Sequence, residues 1–236
     1  MRASPTRPLL EALLFFSAFW LRAYIPGGSA SGANLASASA HLGILLTLLP
    51  SMALLLYLMV RLEGLAAFGI NPRPRPREVP AALILAGLAL GIGLFPEALR
   101  SLTAKIGETA PRFDNPLLAS IGQPELSPFL FVPLVFLSSM ATGYAEELFF
   151  RVYLLSRLAL AGFGFVAALA FSSILFGLAH GRQGLAGAVI ASILGALFAL
   201  RWQRKRSWHE IAIGHGIYDF VVLMALFYGS SPPTSR

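Results

Sequence analysis

No cysteine occurs among the 236 residues, which excludes both a disulfide framework and a thiolate zinc site. Charge is nearly as scarce. Asp, Glu, Lys and Arg make up 12% of the chain, against about 25% in soluble domains of ordinary composition. Histidine occurs four times. The missing charge is replaced by apolar residues, 56% of the chain, with a mean hydropathy of +0.72. They fall in long runs, which excludes an ordinary soluble domain and predicts an all-α polytopic bundle of transmembrane helices. A net charge of +7 would point to nucleic acid in a soluble protein. Here the basic residues cluster between apolar runs, so they read as topology signals; no nucleic-acid partner is expected and the bilayer is.

Seven apolar spans can be drawn, at about 8–26, 42–60, 80–96, 128–150, 163–180, 185–202 and 208–228. Most approach the ~20 residues that a helix needs to cross the hydrocarbon. The proline-punctuated basic loop 71-NPRPRPRE-78 cannot continue a helix. The polar stretch 97–127 is the longest connection, and 203-QRKR-206 is a compact basic turn. No internal repeat is evident, and the spans read as a single membrane domain over 1–236. With the N-terminus inside, inner segments hold Arg2, Arg7, Arg61, Arg73, Arg75, Arg77, Arg151, Arg157, Arg201, Arg204, Lys205 and Arg206. Outer segments hold Arg22, Arg100, Lys105, Arg112, Arg182 and Arg236. Twelve against six favours a cytoplasmic N-terminus and an outer C-terminus. The first span, followed by the small residues 28-GSASGANLASASA-40, shares features of a signal peptide. Glu11 interrupts its apolar core and Arg22 follows closely, which suits a retained helix better.

The stretch 145-AEELFFRVYLL-155 carries three charges inside one of the most apolar parts of the chain. A charged side chain at mid-bilayer costs ~2.5–3.5 kcal/mol on the insertion scale, so an intramembrane ionisable residue is a functional candidate by default. Glu147 and Arg151, four apart, share a helical face and neutralise each other. Glu146 is rotated by about 100° from Glu147 and is left to point elsewhere. The alternative places Arg151 at the cytoplasmic end of the helix, snorkelling to the interface with both glutamates nearby. Of the histidines, His41 opens a span and His209 lies beside the basic turn, so both read as interfacial. His180 ends 171-FSSILFGLAH-180, one turn after Phe176, and His215 lies one turn before Asp219 in 211-IAIGHGIYDFVVLM-224. Polar groups of complementary type need one another in lipid, so these should converge on one cavity. Gly177, Gly181, Gly184, Gly187, Ala188, Gly195, Gly214 and Gly216 permit close helix approach. Gly214 and Gly216, flanking His215, would also leave space beside it for a substrate backbone.

Glu146-Glu147-x-x-x-Arg151, then Phe176-x-x-x-His180, then His215-x-x-x-Asp219, in this order on successive apolar segments, resembles the CPBP family of intramembrane proteases. This family includes the type II CAAX prenyl endopeptidases and the bacteriocin-processing and immunity-associated Abi proteins. The resemblance covers about 128–228. It implies that Glu146 is the general base that activates water, assisted by His180. It implies that Glu147, held by Arg151, shapes the site or helps to position the water, and that His215 and Asp219 face the oxyanion or the substrate carbonyl. Asparagine is typical of the CAAX-processing branch where this chain has Asp219. An ionised aspartate cannot donate to an oxyanion, so either it carries a proton or it orients His215 to donate instead. The family has been described both as metalloproteases and as glutamate proteases. No metal is expected here, since no His-Glu-x-x-His pair occurs; if zinc were present, His180, His215 and Glu146 would be its ligands. The expected activity is hydrolysis of a peptide bond in a membrane-associated or lipidated protein or peptide precursor. The expected location is a membrane, that of the bacterial inner membrane by its relatives. A proton-coupled transporter, whose buried acids and histidines relay protons, and a non-catalytic scaffold or immunity protein are the competing expectations.

Overall fold

The computed structural model of the chain describes residues 6–19, 34–105 and 124–229. Among them there is no strand. The helices are α1 (Thr6–Phe19), α2 (Ala38–Leu62), α3 (Glu78–Lys105), α4 (Pro128–Glu147), α5 (Leu155–Leu160), α6 (Phe165–Ala179), α7 (Gly184–Lys205) and α8 (Trp208–Gly229). A π-helical turn, Leu148–Leu154, joins α4 to α5 into one continuous rod. All seven apolar spans are therefore helical within the described residues. Five are long and apolar enough to cross a membrane: Ala38–Leu62, Glu78–Pro96, Pro128–Leu160, Gly181–Lys205 and Trp208–Tyr228. The chain is an integral membrane protein with an all-α bundle.

One span differs from the expectation of seven full crossings: α6 has 15 residues. At 1.5 Å per residue α6 is ~22 Å long, short of the ~30 Å hydrocarbon. Phe165, its first residue, lines a cleft with Gln203 and Arg206 at the end of α7. Its other end therefore stops within the apolar layer, and His180 follows there. α3 also runs past its apolar span to Lys105, so part of the polar connection 97–127 is helical. The signal-peptide region 28–33, and Arg2, Arg22, Arg112 and Arg236, lie outside the described residues.

The α4–π–α5 rod is the centre of the bundle. α4 packs on α8 and α2, α3 packs on α8, and α6 forms an antiparallel pair with α7. Every residue of Leu148–Leu154 is buried, among Phe68, Phe176, Phe198 and Trp202. Phe15 and Phe16 of α1 reach Tyr153, Phe149 and Phe150. Glycines set the closest approaches. A Cβ on Gly143 would lie 2.5 Å from the Ala212 carbonyl oxygen, and one on Gly177 would lie 2.4 Å from that of Ala188. Gly214 and Gly216 do the same against Ala82 of α3 and Met140 of α4. They seat α8 against its neighbours, and no open space lies beside His215 on their account.

One end of the bundle is tied by polar contacts. Glu78 caps α3 by accepting the Arg75 N–H at 2.9 Å, and it also accepts the Ser207 hydroxyl at 2.8 Å. His209, beside the basic turn, is buried among the helix ends. Its Nε2–H donates to the Asn71 carbonyl at 3.0 Å, and Nδ1 meets the Tyr144 hydroxyl at 3.1 Å. His41 is buried too, packed between Phe131 and Phe227, with Nε2–H donating to the Leu35 carbonyl and Nδ1 2.8 Å from the Ser138 hydroxyl. Both histidines follow the usual rule that a buried polar group finds a partner. Arg201 and Glu210 form an ion pair across the α7–α8 turn.

Candidate active site

The last turn of α4 presents Glu146 and Glu147 to different neighbours. Glu147 is fully buried, with Oε2 3.1 Å from Arg151 Nε and Oε1 2.8 Å from His215 Nδ1. The expected pairing with Arg151 is present, so Arg151 is no interfacial marker: its side chain has no exposure at all. Its guanidinium lies 4.2 Å from the Phe176 ring centroid, and its Nε, Nη1 and Nη2 make no hydrogen bond of good geometry. Cation–π attraction and the charge of Glu147 are what hold it. Gly195 lets α7 approach α6 beside it, since a Cβ there would lie 3.2 Å from Ser173 Cα and 3.3 Å from the Phe176 ring.

Arg151 lies within the π turn, and such turns recur at functional sites. The turn also leaves the Phe150 carbonyl to accept the Ser172 hydroxyl of α6 at 2.8 Å. No feature of the sequence announces this turn.

His180 and His215 arrive from α6 and α8 with their rings fixed in the same sense. His180 Nδ1–H donates to the Phe176 carbonyl at 2.8 Å, a bond made where α6 ends. His215 Nδ1–H donates to Glu147. Both rings are thereby committed at Nδ1, and both turn Nε2 to the same place. Glu146 Oε2 lies 4.0 Å from His180 Nε2 and 3.8 Å from His215 Nε2. Asp219 Oδ2 lies 3.6 Å from His215 Nε2. These separations exceed direct hydrogen bonds, and Glu146 Oε2 is buried without a hydrogen-bond partner.

All six residues expected from the sequence, Glu146, Glu147, Arg151, His180, His215 and Asp219, thus meet in one cluster. Two features were not anticipated. One is the bond from His215 to Glu147, across 68 positions. The other is Phe198 of α7, whose ring stacks on His215 with centroids 5.2 Å apart and planes 17° from parallel. Only Phe198's spacing within an apolar helix preceded it, and that is the signal of any core residue.

As a metal set, His180, His215 and Glu146 are drawn together loosely. Ligands of one tetrahedral zinc ion with ~2.05 Å bonds stand about 3.3 Å apart, less than the 4.0 and 3.8 Å between Glu146 and the two imidazoles. No group of three or more His, Cys, Asp or Glu among the described residues is arranged to hold an ion.

Comparison with known families supplies one match. Residues 128–221 fit the family described as type II CAAX prenyl endopeptidase Rce1-like. The matched stretch contains all six clustered residues and ends just beyond Asp219. No curated protein and no solved structure matches the chain.

Proposed function

We propose that the chain hydrolyses a peptide bond by water that Glu146 activates, a reading supported by the fit of residues 128–221 to a CAAX-type family of membrane proteases. The single observation that carries this reading is the buried, unpartnered Glu146 Oε2 facing two imidazole Nε2 atoms. Gaps of 3.6–4.0 Å between these atoms suit a reacting molecule lodged among them. Apo geometry of this looseness is ordinary for catalytic groups.

In this reading Glu146 takes a proton from water as the oxygen attacks the scissile carbonyl, and His180 Nε2 accepts the water's other hydrogen bond. Glu146 then returns the proton to the leaving nitrogen, whose bond to carbon breaks. His215, protonated at Nε2, donates to the oxyanion, with Glu147 and Asp219 balancing its charge. Glu147 is bonded to its Nδ1 and fixes the ring, the orienting role that a carboxylate has beside a catalytic imidazole. Asp219 lines the oxyanion side. The reaction needs no metal on this account.

The substrate is a protein or peptide at the membrane. The reading extends to a membrane-associated or lipidated precursor, to the bacterial inner membrane, and to a cytoplasmic N-terminus, supported by the distribution of basic residues. It treats 1–236 as one membrane domain with its catalytic core in 128–228. Mapping new protein termini in membranes of cells with and without the chain tests it. Specific cleaved termini should disappear on deletion and return with the wild-type chain. Unchanged termini would favour a transporter or scaffold.

A further inference from the structure

Where α2, α5, α6 and α7 meet, a cleft of about 400 Å³ lies among Glu63, Leu160, Phe163, Phe165, Gln203 and Arg206. None of the clustered acids or histidines lines it. Its walls are of two kinds. Leu160, Phe163 and Phe165 form an exposed apolar wall around the turn from α5 to α6. The other is basic: Arg206, preceded in the chain by the exposed Arg204 and Lys205. The acid of the cleft is already engaged, since Arg157 Nη1 donates to Glu63 at 2.8 Å. Arg206 is left as the lining's uncompensated charge.

Arg206 is also out of place by backbone criteria. It caps α7 with φ 49° and ψ 36°, and among the described residues no other non-glycine has a positive φ. Glycine is the usual residue at such a cap, because a Cβ is disfavoured there. The capping bond itself, to the Trp202 carbonyl, is made by the backbone N–H and needs no side chain. The guanidinium lies 5.4 Å from the Trp202 ring, and Nη2 donates to Gln203 Oε1 at 2.8 Å. A guanidinium has five N–H donors, so most of the fork is left for an anion.

We propose that this cleft binds an anionic phospholipid, with the phosphate on the Arg206 guanidinium and the acyl chains along Leu160, Phe163 and Phe165. Basic pockets between membrane helices recognise such headgroups. A free phosphate would gain nothing from the apolar wall, and a zwitterionic lipid would gain little from the basic one. The site stands independently of the protease reading.

The test uses the purified full-length chain in nanodiscs of phosphatidylcholine, alone or with phosphatidylglycerol, read by thermal unfolding and by retained lipid in native mass spectrometry. Phosphatidylglycerol should raise the unfolding temperature and stay bound, as a ligand of the folded state does. Arg206→Gly should unfold at or above the wild-type temperature in phosphatidylcholine alone, because glycine suits the left-handed cap. It should bind phosphatidylglycerol about tenfold more weakly, having lost the charge-assisted fork, and lose the temperature increment. The proposal is overturned if Arg206→Gly keeps the full increment, or if the wild type unfolds alike in both lipids. It is overturned equally if inorganic phosphate reproduces the increment, or if Arg206→Gly is less stable in phosphatidylcholine alone.

Discussion

Glu147 satisfies two partners at once, the Arg151 guanidinium at 3.1 Å and the His215 imidazole at 2.8 Å, with Glu147 and Arg151 both fully buried. Removing one member of such a buried set leaves the others charged and unpaired, at a cost of about 3–5 kcal/mol. Glu147→Ala and Arg151→Ala should each lower the melting temperature of the detergent-solubilised protein along with its activity. Two variants that melt like the wild type would show the pair to be dispensable to the fold. Asp219 stands differently, 3.6 Å from His215 Nε2 and partly exposed. Asparagine keeps its shape and adds a donor, so Asp219→Asn should retain substantial activity. Asp219→Leu should lose ~10²–10³ in rate, the usual loss for one oxyanion contact. Equal, near-complete loss in both would mean that the charge itself is required, as in a metal ligand or an obligatory proton relay. The residues of this cluster were legible because charge is so costly in an apolar segment that each one stood out. Their pairing was legible only at four-residue spacing. The bond between Glu147 and His215 joins α4 to α8, and no local pattern encodes which helices will touch. For the same reason the burial of His41 and His209 was not legible: their partners Ser138, Tyr144 and Asn71 come from other elements.

At the scale of elements, two irregularities build the site. α6 is short, which delivers His180 into the apolar layer, and a π turn holds Arg151 and frees the Phe150 carbonyl for Ser172. The sequence shows seven apolar spans but not that one of them stops early, because Gly181, Arg182 and Gln183 continue as a short 3₁₀ turn into the next helix. The π turn has no signature in residue type. The close seating of α8 on α4 is more readable, since glycines cluster there, and it is open to test. A Cβ on Gly143 would meet the backbone of α8 at 2.5 Å and 2.7 Å, and backbone cannot move aside as a side chain does. Gly143→Ala should therefore push Glu146 and His215 apart, lowering stability by about 1–3 kcal/mol, the range of overpacked cores, and cutting activity. Gly43→Ala, with nothing within 4 Å of the added carbon, should change neither. Matching melting curves for the two variants would refute this view of the α4–α8 contact.

For the whole molecule, composition alone was enough for the membrane bundle, and three motifs in order pointed to the family whose description residues 128–221 fit. Metal dependence is a property of the assembled site and is decided by experiment. After prolonged chelation, with metal content followed by mass spectrometry, the zinc-free protein should still cleave. Activity lost with the metal and restored only by Zn²⁺ would instead make His180, His215 and Glu146 ligands.

The central claim is that Glu146 takes the proton of the attacking water. Glu146→Gln preserves the size of the side chain and removes its proton acceptor. The purified variant, checked by its melting curve against the wild type, should cleave a membrane substrate at least ~10²-fold more slowly, the lower range for a positioned general base. A folded Glu146→Gln protein that cleaves at the wild-type rate would contradict the account.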